Sequence, residues 1–231
     1  MNELDCIICC VNYSDILSHT LSNNIKYLNN IIIITTPKDT DTIKLCEKYN
    51  VKCLTTNLFY EKSIVKFNWK KVLNFCWWGK YIDNFNNKPC FNKAKAINYA
   101  LRYSKKNWIL LLDADIILPN NISSMDLNTL SKEALYSTNR YVYENKNDYD
   151  NKKNGYLDHW QFVGFFQLFN KTSKNFRKNY YGYDEQCNYA DESDLTFMRK
   201  WHEKKLLNFD VIHLGKTCVN WKGRITESWE N

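Results

Sequence analysis

A strand-like run that ends in two carboxylates constrains this chain more than any other feature. The segment NWILLLDADIILPNN, residues 107–121, is apolar through Leu112 and then places Asp113 and Asp115 on either side of an alanine. Because successive side chains of a strand alternate between faces, both carboxylates are expected to project to the same side. In an open α/β sheet the carboxyl ends of the strands form the ligand crevice. The segment predicts a polar site at that sheet edge.

Apolar runs alternate with helix-like segments through the first half of the chain, which is the pattern of a parallel sheet built from βαβ units. We predict strands in DCIICCVNY, NIIIITTP, VKCLTT and WILLLDADI. We predict helices in ILSHTLSNNIKYL, DTIKLCEKYN and NKAKAINYALRYS, where apolar residues recur at helical spacing. The fold class expected is a doubly wound, mostly parallel α/β sheet with helices on both faces.

The second half is less regular. The polar segment YENKNDYDNKKNG reads as a loop, WQFVGFFQLFN as strands with a turn at Gly164, ESDLTFMRKWHEKKL as a helix, and DVIHLGKTCVNWKGR as a strand followed by a loop. With only 3 prolines and 6 glycines, no linker divides the chain. We therefore predict one domain spanning residues 1–231.

Composition narrows the partners and the compartment. The net charge of +7 suits an anionic partner, but the basic residues are scattered, so a nucleic-acid partner is not expected. The 9 cysteines are odd in number, and three of them lie in the first strand-like run, so we expect them to be reduced. No signal-peptide pattern and no transmembrane segment are recognised, which favours a cytoplasmic protein.

The two aspartates at the predicted strand end favour a cation. Carboxylate oxygens suit hard divalent ions such as Mg²⁺ or Mn²⁺, which keep positions open for phosphate oxygens. The alternative is a strand-end turn whose two acids are merely solvated. Spacing alone leaves both interpretations open.

Several motifs together resemble the GT-A glycosyltransferases, in particular the family-2-like nucleotide-sugar transferases. In order, the motifs are CVNYSDIL, TTPKDTDT, FNKAKAINYAL, WILLLDADIILP, GFFQLFN, DESDLTF and VIHLGKTCVNWKGR. They span nearly the whole chain, although each is short and weak alone. The resemblance implies a GT-A fold, with a nucleotide-binding half at about 1–118 and an acceptor-binding half at about 119–231. It also implies a hexosyltransferase-like enzyme that moves a sugar from a nucleotide-sugar donor to a glycan or other hydroxyl acceptor.

The resemblance implies a metal site and a donor site. Asp115 would be a direct ligand of Mn²⁺ or Mg²⁺, Asp113 would reach the donor ribose or the metal through water, and His213 would be a third ligand unless it is a structural residue. On the donor side, Tyr13 would pack on the base and Asp39 would accept from its ring N–H, a pairing that favours a UDP-sugar. Asp39 could instead only build a turn. Lys93, at a helix start, and Arg224 would contact the donor phosphates, with a solvated lysine as the alternative for Lys93.

An inverting transfer needs a base, and the acidic helix start in DESDLTF is where the resemblance places it. The register leaves Asp191, Glu192 and Asp194 open. We prefer Asp194 and then Glu192, because Asp191 looks like an N-cap whose carboxylate would be occupied. The residues expected to line the acceptor side are Trp160, Gln167 and Trp221, although aromatic residues are more often core.

Three rival interpretations are weaker. Haloacid dehalogenase-type phosphatases place their paired aspartates near the N-terminus, whereas this pair is mid-chain. Nucleotidyltransferases need a glycine-rich loop after the first strand, and CVNYSDIL contains none. A non-catalytic GT-A-like module that binds sugar or protein remains the principal alternative, against which the retained acids and His213 argue.

Overall fold

The structure, a computed structural model, describes residues 3–62, 90–220 and 222–229. The strands are β1 (Leu4–Cys9), β2 (Ile31–Thr35), β3 (Lys52–Thr55), β4 (Trp108–Asp113), β5 (Ile116–Ile117), β6 (Ala134–Tyr143), β7 (Tyr156–Asp158), β8 (Phe166–Asn170) and β9 (Glu203–Leu214). The helices are α1 (Ser14–Asn24), α2 (Thr40–Tyr49), α3 (Lys93–Leu101), α4 (Lys146–Asn151), α5 (Lys174–Arg177) and α6 (Ala190–Arg199). Short 3₁₀ helices lie at Leu58–Tyr60, Asn120–Ser124 and Leu127–Thr129.

All of these strands belong to one sheet, in the order β3-β2-β1-β4-β8-β6-β9-β5, with β7 paired to β6. The first four are parallel to one another, β8 runs antiparallel to β4 and β6, and β9 is parallel to β6. From β1 the chain moves to β2 on one side and later to β4 on the other. This change of direction opens a crevice at the carboxyl ends of β1 and β4, where Cys9 pairs with Asp113.

Strands β1, β2 and β4 of the parallel half are buried on both faces, which explains their continuous apolar runs, whereas edge strand β3 is partly exposed. On one face Cys6 and Ile8 of β1 join a core with Leu17 of α1. On the other face Ile7 joins a second core with Ile97 of α3. The helices therefore cover both sides of the sheet, and the predicted doubly wound α/β class is confirmed.

The four strands and three helices predicted in the first half are present, with ends shifted by a few residues. Three local predictions were wrong. The polar loop contains α4, whose start is capped when the Asn145 side chain accepts from the Asp148 N–H. The helix predicted over 192–206 ends at Arg199, because the following residues pair with β6 as β9. The strand carrying the aspartates ends at Asp113.

Within the part of the chain that the structure describes, no helix combines the length and the apolar character needed to cross a membrane. The single-domain prediction stays a prediction, although the described strands of both halves share one sheet.

Candidate active site

A cavity of about 190 Å³ opens at the carboxyl ends of β1 and β4. It gathers most of the predicted site residues from distant parts of the chain. Those that line it are Tyr13, Lys93, Asp113, Asp115, Trp160, Asp191, Asp194, His213 and Arg224. The crevice expected at the strand ends is thus present, and it is lined by carboxylates, an imidazole, cations and aromatic rings.

Asp113 ends β4, and Asp115 lies in the turn before β5. The turn is fixed from two sides, since Thr20 Oγ1 donates to the Ala114 carbonyl at 2.6 Å and the Leu214 N–H donates to the Asp115 carbonyl at 2.9 Å. Asp115 Oδ1 is buried without a hydrogen-bond partner. Burial, followed by the nearby charge of Asp113, raises the pKa of Asp115 to about 7. A cation would satisfy this oxygen.

His213, near the end of β9, lies beside this turn because it pairs with Ile116. Its Nε2 is 3.5 Å from Asp115 Oδ2, and its Nδ1 is buried without a partner. Burial, reinforced by Arg140, lowers the pKa of His213 to about 4. The imidazole is therefore neutral near pH 7, which is the form that binds metals.

The donor set fits a divalent cation in chemistry but is only partly assembled. Asp115 and His213 face each other, whereas Oδ1 of Asp113 is bound by Lys93. Among the described residues no group of three or more His, Cys, Asp or Glu side chains forms a metal site. Mg²⁺ commonly takes one or two protein carboxylates and fills the remaining positions with water and substrate phosphates. The residues present therefore fit an ion that is completed by a phosphate ligand.

Lys93 begins α3, whose first turn is capped by the Asn92 side chain accepting from the Lys95 N–H. Its Nζ is 2.8 Å from Asp113 Oδ1 and 3.3 Å from Asp194 Oδ2. Burial opposes the ammonium charge, but the two carboxylates outweigh it and raise the pKa of Lys93. Lys93 lies in the cavity. Its charge is paired with two protein carboxylates, so it is neither solvated nor left without a partner for the donor phosphates.

The N-cap expected at Asp191 from the sequence is not the N-cap in the structure. The N-cap of α6 is Tyr189, and Asp191 lies in the first turn, so Asp191 is not a cap. Asp191 and Asp194 are three residues apart, which puts them on one helix face, and both line the cavity. Glu192 points elsewhere and accepts from the Asn188 N–H at 3.4 Å. The structure does not bring Glu192 to the cavity.

Asp194 is buried in close contact with Gly164. Its Oδ2 accepts from Lys93, while its Oδ1 is enclosed without a partner. Burial raises the pKa of Asp194 to about 7, although Lys93 acts in the opposite direction. A Cβ added to Gly164 would lie 1.9 Å from Asp194 Oδ2, so only glycine leaves room for the carboxylate. Nearby Phe162 has φ of 62°, a conformation that bulky residues adopt mainly at constrained sites.

Of the predicted acceptor residues that the structure describes, Trp160 lines the cavity and Gln167 does not. Trp160 is 65% exposed, and its backbone N–H donates to Asp158 Oδ1 at 2.9 Å. The structure does not bring Gln167 to the cavity, because β8 is buried on both faces and turns this side chain into the core. There its Nε2 donates to the Phe162 carbonyl and its Oε1 accepts from Tyr183. Trp221 lies outside the described residues.

Asp39, in the loop after β2, accepts a hydrogen bond from the loop after β1, and so links the two loops expected to bind the nucleotide. It does not line the cavity. Its carboxylate is 5% exposed and accepts from the Asn12 N–H at 2.7 Å, the Thr35 hydroxyl at 2.8 Å and the Thr42 N–H at 3.2 Å. These contacts correspond to the turn-building alternative. The uracil-reading role predicted for Asp39 is not supported by its geometry.

Tyr13 and Arg224 meet at the opening of the cavity. The guanidinium carbon of Arg224 lies 4.6 Å from the centre of the Tyr13 ring, and Asn220 donates to the Tyr13 hydroxyl. Arg224 also forms a two-point ion pair with Asp15. Burial acts to raise the pKa of Asp15, but hydrogen bonds from Arg224 and the Trp229 N–H bring it to about 2. Both predicted residues are at the site, and the phosphate clamp expected of Arg224 is occupied by protein.

Arg140 lines the cavity and is a residue that the sequence argument missed. It lies in β6 with a side chain only 6% exposed, and it pairs with Asp158 on β7. The signal in the sequence is an arginine inside a long strand, ALYSTNRYVY. A charge in such a strand needs a buried partner or a ligand.

Neither a family model nor a curated protein matches the sequence. Among solved structures, 4-diphosphocytidyl-2C-methyl-D-erythritol synthase from Anaerococcus prevotii has a TM-score of 0.46 at 14% identity, over 93% of this chain and 89% of that one. Inositol-1-phosphate CTP transferase from T. maritima has a TM-score of 0.47 at 9% identity, over 92% of this chain and 89% of that one. The galactosyltransferase LgtC has a TM-score of 0.42 at 13% identity, over 88% of this chain and 73% of that one.

These similarities are too distant to assign an activity or a substrate to this chain. Its own topology defines the class: a parallel β3-β2-β1-β4 half continues into a mixed half through antiparallel β8, and paired acids follow β4. This is a doubly wound α/β fold, and its strand arrangement agrees with the GT-A-like fold that the motif resemblance implies.

Proposed function

We propose that this protein is a metal-dependent glycosyltransferase that moves a sugar from a nucleotide-sugar donor to a hydroxyl acceptor, with inversion. One observation carries the proposal. Of the five buried side-chain atoms without a partner in the described residues, three belong to the cavity: Asp115 Oδ1, Asp194 Oδ1 and His213 Nδ1. Proteins rarely leave such atoms unsatisfied, so their convergence on one cavity supports a site completed by ligands.

The metal side of the proposal rests on Asp115 and His213, with Asp113 beside them. A bound Mn²⁺ or Mg²⁺ would neutralise the charge that develops on the leaving nucleoside diphosphate. Lys93 keeps a fixed positive charge between Asp113 and Asp194, which offsets the repulsion among the acids. The favoured nucleotide is uridine diphosphate, with Tyr13 packing on the base. That choice rests on the motif resemblance, since Asp39 takes no part.

Asp194 is the proposed base. Its carboxylate would take the proton of the acceptor hydroxyl while the oxygen forms a bond to the anomeric carbon. The bond from that carbon to the diphosphate oxygen breaks, and the nucleoside diphosphate leaves with the bonding electrons. A pKa of about 7 suits a base that works near neutral pH. Asp191 on the same helix face is the alternative, and Trp160 is the proposed platform for the acceptor sugar.

A turnover assay tests this function. The protein would be incubated with Mn²⁺ and with uridine, guanosine, adenosine and thymidine diphosphate sugars, each with and without simple sugar acceptors, and nucleoside diphosphate release would be measured. We expect release from a uridine donor that an excess of EDTA prevents. If nucleotide sugars bind but no donor is turned over with any acceptor, the protein is a binding module and the catalytic proposal is wrong.

A further inference from the structure

We propose that Arg140, and not Arg224, is the arginine that binds the diphosphate of the donor. This inference rests on the proposed function and assigns a role to a residue that the sequence argument passed over. Both arginines line the same cavity, but their hydrogen-bonding states differ.

Arg224 has no N–H left for a ligand. Its Nε donates to the Thr226 carbonyl, its Nη1 to the Asn12 carbonyl and to Asp15, and its Nη2 to Asp15 and the Glu227 carbonyl. A guanidinium carries five N–H donors, so all of them are used. To bind phosphate, Arg224 would first have to break its ion pair with Asp15. Its contacts instead tie the C-terminal segment to the loop after β1.

Arg140 has donors to spare. Its Nε and Nη2 donate to Asp158 Oδ2 at 2.9 and 2.7 Å, whereas Nη1 has no acceptor among the described residues. Nη1 is also absent from the enclosed atoms that lack a partner, so it is not fully buried, and Arg140 lines the cavity. The guanidinium carbon lies 4.5 Å from the centre of the Phe165 ring, which fixes the orientation of the group. An arginine held in this way offers two N–H groups at little entropic cost.

Strand register places these donors next to the proposed metal ligands. Val142 pairs with His213 across β6 and β9, and Arg140 lies two residues earlier, on the same face of the sheet. Asp158 pairs directly with Arg140 from β7. A phosphate group that completes the coordination of an ion at Asp115 and His213 would therefore lie beside a guanidinium with free donors. This geometry suits the diphosphate better than the saturated Arg224 does.

Calorimetric titration with inorganic pyrophosphate and with uridine diphosphate, both with Mn²⁺, tests the assignment. For Arg140→Gln we expect both affinities to fall about ten- to a hundredfold, as for loss of hydrogen bonds to a charged group. Arg140→Lys keeps the charge and should fall less. The matched control is Asp158→Asn, which removes the charge of the same ion pair but keeps the guanidinium, and its affinities should fall much less than those of Arg140→Gln, because the asparagine oxygen can still accept from Arg140. Uridine, which lacks phosphate, should bind all variants alike.

The outcomes separate the two proposals. If wild type binds nucleoside diphosphates and Arg140→Gln binds them equally well, the inference is wrong and the proposed function stands. If Arg140→Gln and Asp158→Asn lose affinity equally, the ion pair has only a structural role and the inference is also wrong. If wild type binds neither pyrophosphate nor any nucleoside diphosphate, the proposed function fails and the inference fails with it. Should Arg140→Gln not fold, as judged by circular dichroism, Arg140→Lys carries the test.

Discussion

The floor and the rim of the cavity are built in opposite ways. The floor consists of Lys93, Asp113, Asp115, Asp194 and His213, which lie at the ends of β4 and β9, in the turn after β4, or on helices α3 and α6. Its ion pairs hold Lys93 in place, but each of three floor residues keeps a buried atom without a partner. The two remaining unpartnered atoms of the described residues are tryptophan N–H groups outside the cavity lining, in Trp201 and Trp229.

The rim consists of Tyr13, Asp15, Asn220 and Arg224. Here polar groups are matched within the protein: Arg224 uses all of its donors, and Asp15 accepts from Arg224, the Ser228 hydroxyl and the Trp229 N–H. These contacts join the C-terminal segment to the loop after β1. The rim is therefore stabilised as it stands, whereas the floor is not.

The contrast between floor and rim indicates that the floor is where a ligand binds. An unpartnered buried polar atom costs free energy, on the order of 1–3 kcal/mol in protein mutational data. A chain that carries three such atoms in one cavity is expected to recover part of this cost when a ligand binds. We therefore expect substitutions in the floor to act on chemistry and binding, and substitutions of the paired rim residues Asp15 and Arg224 to act on stability.

The largest effect is expected from Asp194→Asn. The amide keeps the shape of the side chain but cannot take a proton, so the transfer rate should fall about a hundredfold to ten-thousandfold. Binding of uridine diphosphate should persist, because the donor is held by other groups. Steady-state kinetics with a radiolabelled donor, together with calorimetry, measures both quantities.

Asp191→Asn is the matched control on the same helix face, and it should cost less than about tenfold if Asp194 is the base. If Asp191→Asn is the inactive variant and Asp194→Asn transfers normally, the role moves to Asp191. If neither change slows transfer, α6 does not carry the base. A product that keeps the anomeric configuration of the donor would exclude the inverting mechanism.

The next effect is expected from Gly164→Ala. The added Cβ would lie 1.9 Å from Asp194 Oδ2 and 2.4 Å from its Cγ, so the carboxylate must move. A misplacement of about 1 Å costs on the order of a hundredfold in rate. Gly155→Ala is a comparable change away from the cavity lining, where the added atom meets the Tyr141 and Tyr143 rings. If Gly164→Ala transfers as well as Gly155→Ala, the close packing of Asp194 has no bearing on catalysis.

A smaller effect is expected from pH. A base must be deprotonated, and burial raises the pKa of Asp194 to about 7, so kcat/KM should rise as the pH increases through 7. With an ordinary aspartate pKa near 3.9 the profile would already be flat there. The pH profile of wild type should therefore rise, while the residual activity of Asp194→Asn should not show the same rise. A wild-type profile without change from about pH 5 to about pH 8 contradicts this assignment.

The smallest effect on function is expected in the rim, from Arg224→Lys. Lysine keeps the charge but loses the two-point pairing with Asp15, so the free energy of unfolding should fall by about 1–3 kcal/mol. The affinity for uridine diphosphate should change by less than about threefold. Urea denaturation and calorimetry would measure the two. A large loss of affinity at unchanged stability would restore the phosphate clamp expected of Arg224 from the sequence.

The sequence predicts the parallel half of the fold well, because β1, β2 and β4 are buried on both faces and its helices follow a regular spacing. It predicts the second half less well. The residues after Arg199 have a helical pattern, yet they pair along β6 as β9, since tertiary pairing overrides local preference. No local signal marks that change.

The candidate site shows the same division. Motif order brings Asp113, Asp115, Asp194 and His213 to one cavity, as the sequence predicts. Motif order does not show which polar side chains already have hydrogen-bond partners within the protein. Asp39 and Gln167 have suitable side chains but direct them into the protein, because neighbouring backbone and hydroxyl groups bind them. Arg140 is the opposite case: the sequence does not suggest it, and its free donors are recognised only once the pairing of β6, β7 and β9 is known.

The central claim is that the floor binds a nucleotide diphosphate together with a divalent ion through Asp115. Calorimetric titration of uridine diphosphate into wild type and Asp115→Ala, each with Mn²⁺ and with excess EDTA, tests it most directly. We predict that wild type binds in Mn²⁺ and at least about tenfold more weakly in EDTA, and that Asp115→Ala stays folded but loses this metal dependence. Equal affinity of wild type in Mn²⁺ and in EDTA, or an unchanged metal dependence in Asp115→Ala, would contradict the account.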